Sequence, residues 1–123
     1  MIPYNTIFNP PAPFLTISIS AIYQKEPTLT IDCLLDTGAD ISVIPQALAN
    51  SLNLDPTGLM IVEGFNSERQ KLPLFAIDAT IETKTLAGIE VLAYQTDYAI
   101  LGRDVLNRFR LLLDGPAQNL EIL

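Results

Sequence analysis

The tripeptide Asp36-Thr37-Gly38 occurs once in the sequence, with Leu34 and Leu35 ahead of it and Ala39 behind. Leu29, Ile31, Cys33 and Leu35 alternate with more polar neighbours, so Asp36 leaves a strand that faces the core and enters a loop. A carboxylate placed there projects into a cleft while its backbone stays anchored to a rigid element. Thr37 adds a hydroxyl that donates and accepts, and Gly38 lets a second backbone or a substrate come close. The alternative is a plain turn, since such a tripeptide arises by chance in roughly a few per cent of chains of this length. Cys33 belongs to the apolar series and reads as a small core residue. Arg103, Arg108 and Arg110 are the nearest thing to a basic cluster, but beside Asp104 and Asp114 they read as a solvated helix end.

The elements that must position Asp36 follow from local patterning. Residues 14–22 place Leu15, Ile17, Ile19 and Ala21 on one face and Thr16, Ser18 and Ser20 on the other, which predicts a half-buried strand. Gln24-Lys25-Glu26-Pro27 supplies a turn into the strand over 28–35. Pro45 with Leu48 and Leu52 predicts a short helix over 45–52. Strands over 59–64 and 70–82 flank a polar hairpin tip at 65–69, with Phe75, Ile77, Ala79 and Ile81 on one face of the second. Pro73 marks the beginning of that strand as an edge or an irregularity. Strands over 88–94 and 99–101, a helical stretch over 104–109, and strands over 111–113 and 120–123 around Asp114-Gly115-Pro116 complete the chain. The first thirteen residues hold Pro3, Pro10, Pro11 and Pro13 and predict an extended arm, leaving one domain over 14–123. Many short strands and few helical residues predict an all-β, barrel-like fold.

With 123 residues, about half of them apolar, one globular core is expected. The apolar runs fall far short of the ~20 residues of a bilayer span, and no basic segment precedes an apolar one at the N-terminus. No membrane association and a cytoplasmic location are the expectation, and a lone Cys33 fits a reducing compartment. A net charge of -7 argues against nucleic acid as a partner, because phosphate binding needs clustered cations.

Two segments carry a resemblance. Leu34-Leu35-Asp36-Thr37-Gly38-Ala39-Asp40, continued by Ile41-Ser42-Val43-Ile44-Pro45, and the later Ala99-Ile100-Leu101-Gly102-Arg103-Asp104-Val105-Leu106 resemble the two signature regions of retropepsin-like aspartic proteases. The resemblance covers most of the chain from Phe14 onward and implies a closed β-barrel with a flap hairpin and one or two short helices. It implies an aspartic endopeptidase without metal or organic cofactor. Asp36 would be the catalytic carboxylate, with Thr37 and Gly38 forming the active-site loop and its contact across a dimer axis. Ala39 and Asp40 would line the substrate's main chain. Gly64, Phe65 and Asn66, with Ser67, would belong to a flap tip that is poor in glycine for this family. Arg103 would pair with Asp40 in a buried or half-buried brace of the loop, where the plain reading is an exposed cation at a helix end.

Aspartic protease chemistry uses two carboxyl groups that share a proton, and this chain carries one Asp-Thr-Gly. A homodimer would bring Asp36 of each subunit to the two-fold axis, and the apolar strand over 120–123 is a candidate edge for pairing across subunits. The substrate would be a peptide or protein. The alternative is a catalytically idle dimerisation or peptide-binding module on the same barrel.

Overall fold

The computed structural model describes residues 1–63 and 67–123. Strand β1 spans Ile2–Pro3, β2 Phe14–Ala21, β3 Thr28–Leu35, β4 Val43–Pro45, β5 Gly58–Glu63, β6 Arg69–Ile81, β7 Lys84–Tyr94, β8 Ala99–Leu101, β9 Leu111–Asp114 and β10 Asn119–Ile122. Helix α1 spans Gln46–Ser51 and α2 Arg103–Leu106.

The larger sheet runs β2-β3-β8-β4-β7-β6-β5, and β2 also pairs with β6. That pairing, from Ser18 opposite Thr80 to Ala21 opposite Ile77, closes six strands into a barrel and leaves β5 outside it. Closure needs one face of every strand to turn inward, which is why the period-2 stretches of β2, β3 and β6 are legible in sequence. Ile17, Ile19, Cys33, Leu35, Phe75, Ile77, Ala79 and Ile81 all enter the buried core. The fold is thus an all-β, retropepsin-like closed barrel with two short helices.

Several boundaries differ from the sequence expectation. Strand β7 begins at Lys84, four residues before the expected start at Gly88, because its alternation is broken. Leu86 and Ile89 are both buried although three residues apart, and the register shifts between Ile77 and Ala79 on the facing strand. Gly88 takes up the irregularity with a φ of 66°, a conformation that favours glycine. Helix α2 is shorter than expected and starts one residue earlier, at Arg103. Pro73 pairs with Leu59 on β5, while the pairing to β7 begins only at Leu74, so the proline sits where β6 has a neighbour on one side. Pro45 caps the start of α1, and Asn53, at a φ of 52°, follows its end.

The smaller sheet corrects one further expectation. Its order is β1-β10-β9, so the C-terminal strand is the middle strand, paired on both sides within its own chain. Leu120 is fully buried there and joins the barrel core. Ahead of β2 the chain folds back through a bridge between Asn5 and Ala12, and Phe8 packs its ring 4.9 Å from Phe14 and 5.4 Å from Tyr98. No helix among the described residues is long and apolar enough to cross a membrane.

Candidate active site

Strands β3 and β8 run parallel, with Leu34 opposite Ile100 and Leu35 opposite Leu101, and both end at the loop that carries Asp36. The Asp36 N–H donates to the Leu101 carbonyl at 3.0 Å, so the last rung of the ladder fixes the aspartate's backbone. Beyond it the chain turns tightly. Ala39 N–H donates to the Asp36 carbonyl at 3.2 Å, and Gly38 N–H donates to Asp36 Oδ1 at 2.9 Å. A Cβ on Gly38 would lie 3.1 Å from that same oxygen, crowding the carboxylate that the N–H holds. Asp36 is half-buried, while Thr37 and Gly38 are exposed beside it. The result is a half-buried carboxylate whose orientation is held by the Gly38 N–H, at the end of two paired barrel strands.

Arg103 braces this loop through three contacts. Arg103 N–H donates to the Ala39 carbonyl at 2.9 Å, its Nη1 donates to the Thr37 carbonyl at 2.6 Å, and its Nη2 pairs with Asp40 Oδ1. The Arg103–Asp40 pair is more exposed than the buried or half-buried brace expected from sequence, with side chains 44% and 86% accessible. Water screens such a pair, so its Coulombic part contributes little, and the bond to the Thr37 carbonyl is the more consequential contact.

The buried brace lies behind, and sequence reasoning missed it. Ser42 is 2% exposed; its Oγ donates to Asp104 Oδ1 at 2.8 Å and accepts the Gly102 N–H at 3.0 Å. Asp104 Oδ2 accepts the Ser42 N–H at 3.0 Å, and its Oδ1 also accepts the Val105 N–H at 3.0 Å. Gly102 has no room for a side chain, since a Cβ would meet the Ala39 carbonyl oxygen at 2.8 Å and the Ile41 carbonyl carbon at 3.0 Å. The one available signal was an acid at the first turn of a helix, which is common at helix starts whatever it bonds.

Ala39 is half-buried and Asp40 exposed at the outer end of the loop. Gly64, Phe65 and Asn66 lie outside the described residues, but the two strands leading to them, β5 and β6, are a regular antiparallel pair from Gly58 opposite Leu74 to Glu63 opposite Arg69. An apolar cavity of about 510 Å³ opens between that hairpin and the barrel, walled by Val43, Val62, Leu72, Leu92 and Ile100. Ile100 ties it to the site, because it pairs with Leu34, two residues before Asp36. No group of His, Cys, Asp or Glu among the described residues is arranged to hold a metal.

The sequence matches the family model described as "gag-polyprotein putative aspartyl protease" over residues 28–108, more than half of the chain and inclusive of both signature segments. The chain belongs to this family of retropepsin-like aspartic proteases. Solved structures with the same fold include a retropepsin-like aspartic protease from Rickettsia conorii, at 17% identity and a TM-score of 0.61, covering 93% of this chain and 84% of that one. The protease of simian foamy virus (mac) aligns at 19% identity and a TM-score of 0.57, over 76% of this chain and 91% of the other. The EIAV protease complexed with the inhibitor HBY-793 aligns at 24% identity and a TM-score of 0.55, over 79% and 86%. At these identities the likeness is one of fold. No curated protein matches the sequence.

Proposed function

We propose that the chain is an aspartic endopeptidase whose active site is completed by a second copy of itself. The observation that supports this most directly is a single Asp-Thr-Gly loop whose Asp36 is half-exposed and held by backbone hydrogen bonds on both sides. One carboxylate so held is half of a proton-sharing pair. In a C2 dimer the partner subunit's Asp36 stands opposite. The ionised carboxylate takes a proton from water as its oxygen attacks the scissile carbonyl, while the protonated one donates a hydrogen bond to the carbonyl oxygen. Collapse of the resulting tetrahedral diol passes a proton to the leaving amine and breaks the C–N bond. Two carboxylates this close resist ionising together, so the rate should peak on the acid side of neutrality.

In this reading Thr37 and Gly38 meet the partner's loop, Ala39 and Asp40 line the substrate's main chain, and Gly64, Phe65 and Asn66 cover it. Arg103 braces the loop through Thr37 and Asp40. The sheet edge assigned to the partner is β9. The opposite edge, β1, is two residues long and carries Pro3, which has no N–H to offer. On β9, Leu112 and Leu113 are 49% and 46% exposed, and the strand carries no charge before Asp114. Two antiparallel copies of one strand are related by a two-fold axis, the symmetry that the shared site requires.

The test is hydrolysis of a peptide library by the wild-type protein and by Asp36→Asn. Cleavage at defined bonds by the first and its loss in a folded, dimeric second is the expected result. Equal cleavage by both would remove Asp36 from the chemistry.

A further inference from the structure

A second cavity lies beside the apolar one. Strands β4 and β7 run parallel, with Val43 opposite Leu92 and Pro45 opposite Tyr94, so they end side by side. Helix α1 continues from the first and the segment 95–98 from the second, and the fork between them is a cavity of about 530 Å³. Its walls are polar: Gln46 and Asn50 from α1, and Gln95, Thr96 and Asp97 from the facing segment. Gln95 and Thr96 also line the apolar cavity, which makes the two neighbours across a shared wall.

Two of the polar side chains of this cavity donate hydrogen bonds within the chain. Gln46 Nε2 donates to Asn50 Oδ1 at 3.1 Å, and Thr96 Oγ1 donates to the Tyr98 carbonyl at 3.0 Å. Asp97 is exposed and makes no hydrogen bond or ion pair among the described residues. What the cavity offers a visitor is the amides of Asn50 and Gln95 and one unpaired carboxylate, which gives it negative charge. No Lys or Arg is among the residues lining either cavity, and the whole chain carries a net charge of -7. Side chains on one face of an extended peptide recur every two residues, about 6.6 Å apart, a spacing suited to adjoining pockets.

We propose that the two cavities form one substrate groove, in which the apolar cavity anchors an aliphatic or aromatic side chain and the polar cavity receives Lys or Arg against Asp97. This rests on the protease reading above and names the substrate class: peptides with a basic residue near an apolar one. The basic side chain is recognised at an exposed carboxylate, so the selection is one of degree and weakens with salt.

A matched peptide set tests it, holding one apolar anchor and placing Lys, Gln or Glu in turn at each of the three positions on either side. Cleavage is measured with wild-type protein, and binding of the same peptides is measured by fluorescence anisotropy with the Asp36→Asn protein. At one position Lys should exceed Glu by about 10-fold in both measurements, since attraction is exchanged for repulsion. Asp97→Asn should lower the Lys-to-Gln ratio by about 3- to 5-fold, and Asp97→Lys should reverse the order of Lys and Glu. A profile flat at every position, a preference for Glu, or a ratio unmoved by both Asp97 variants would overturn the proposal. Cleavage without the preference overturns the groove and keeps the protease. The preference in binding with no cleavage by wild type keeps the groove and overturns the protease.

Discussion

Replacing Ser42 by Ala removes one hydroxyl and tests the buried brace behind the Asp36 loop. The hydroxyl accepts the Gly102 N–H at 3.0 Å and donates to Asp104 Oδ1 at 2.8 Å, in surroundings where Ser42 is 2% exposed. The variant leaves a backbone N–H without its acceptor and a carboxylate with one donor fewer. An unsatisfied buried group costs about 1–3 kcal/mol, and the bond to a charged partner puts the total at about 2–3 kcal/mol. For a domain of this size that corresponds to a fall in melting temperature of roughly 8–12 °C. It should be followed by calorimetry at fixed protein concentration, because the midpoint of the proposed dimer would depend on concentration. Asp104→Ala and the double variant complete a cycle in which the coupling should be about 1–2 kcal/mol. Turnover should fall with stability, since the Leu101 carbonyl that fixes the Asp36 N–H is one residue from Gly102. A melting temperature within 2 °C of wild type, or additive single variants, would refute the brace.

The remaining expectations concern other parts of the same framework. Arg103→Ala should lower turnover more than stability, because the exposed pair with Asp40 contributes about 1 kcal/mol or less while the bond to the Thr37 carbonyl orients the loop; a large loss of melting temperature with unchanged turnover would contradict this. Burial, with a smaller contribution from Asp32, pushes the Cys33 thiol up from 9.0 to about 12. The folded state thus favours the neutral thiol, so its contribution is complete below pH 9 and is lost as pH rises towards 12. Iodoacetamide should accordingly label Cys33 only on unfolding, and rapid labelling of native protein at pH 8 would place the thiol elsewhere. Leu113→Glu should shift sedimentation from dimer to monomer without unfolding the barrel, and an unshifted dimer would exclude β9 as the shared edge.

Much of this architecture is written in local patterns. The buried faces of β3 and β6 and the middle of β2 follow a period of two, so Ile17, Cys33 and Ile77 announce their place in the core, while the ends of β2 depart from it, with Phe14 and Ser20 also buried. Where a bulge intervenes, as between Leu86 and Ile89, the period fails and the strand start is misplaced. Strand β4 is too short to show a pattern, and its partners on β7 and β8 are distant in sequence. The same distance hides the candidate site's inner brace. Asp36, Thr37, Gly38 and Arg103 stand in recognisable segments, but nothing local says that Ser42 bonds an aspartate 62 residues away. The polar cavity is equally non-local, since Gln46 and Asp97 line one cavity only because two parallel strands end together.

The shared site itself is tested by co-refolding wild-type protein with an equal amount of Asp36→Asn protein and measuring peptide hydrolysis per wild-type chain. With random pairing about half of all wild-type chains find a mutant partner, and each mixed dimer holds one carboxyl group and one amide, which cannot share the proton. Activity per wild-type chain should fall by roughly half, fall further with excess mutant, and decline on dilution of wild type alone as dimers dissociate. Activity that stays proportional to the wild-type chain after co-refolding, with no loss on dilution, would mean that each monomer carries a complete site and would contradict the account.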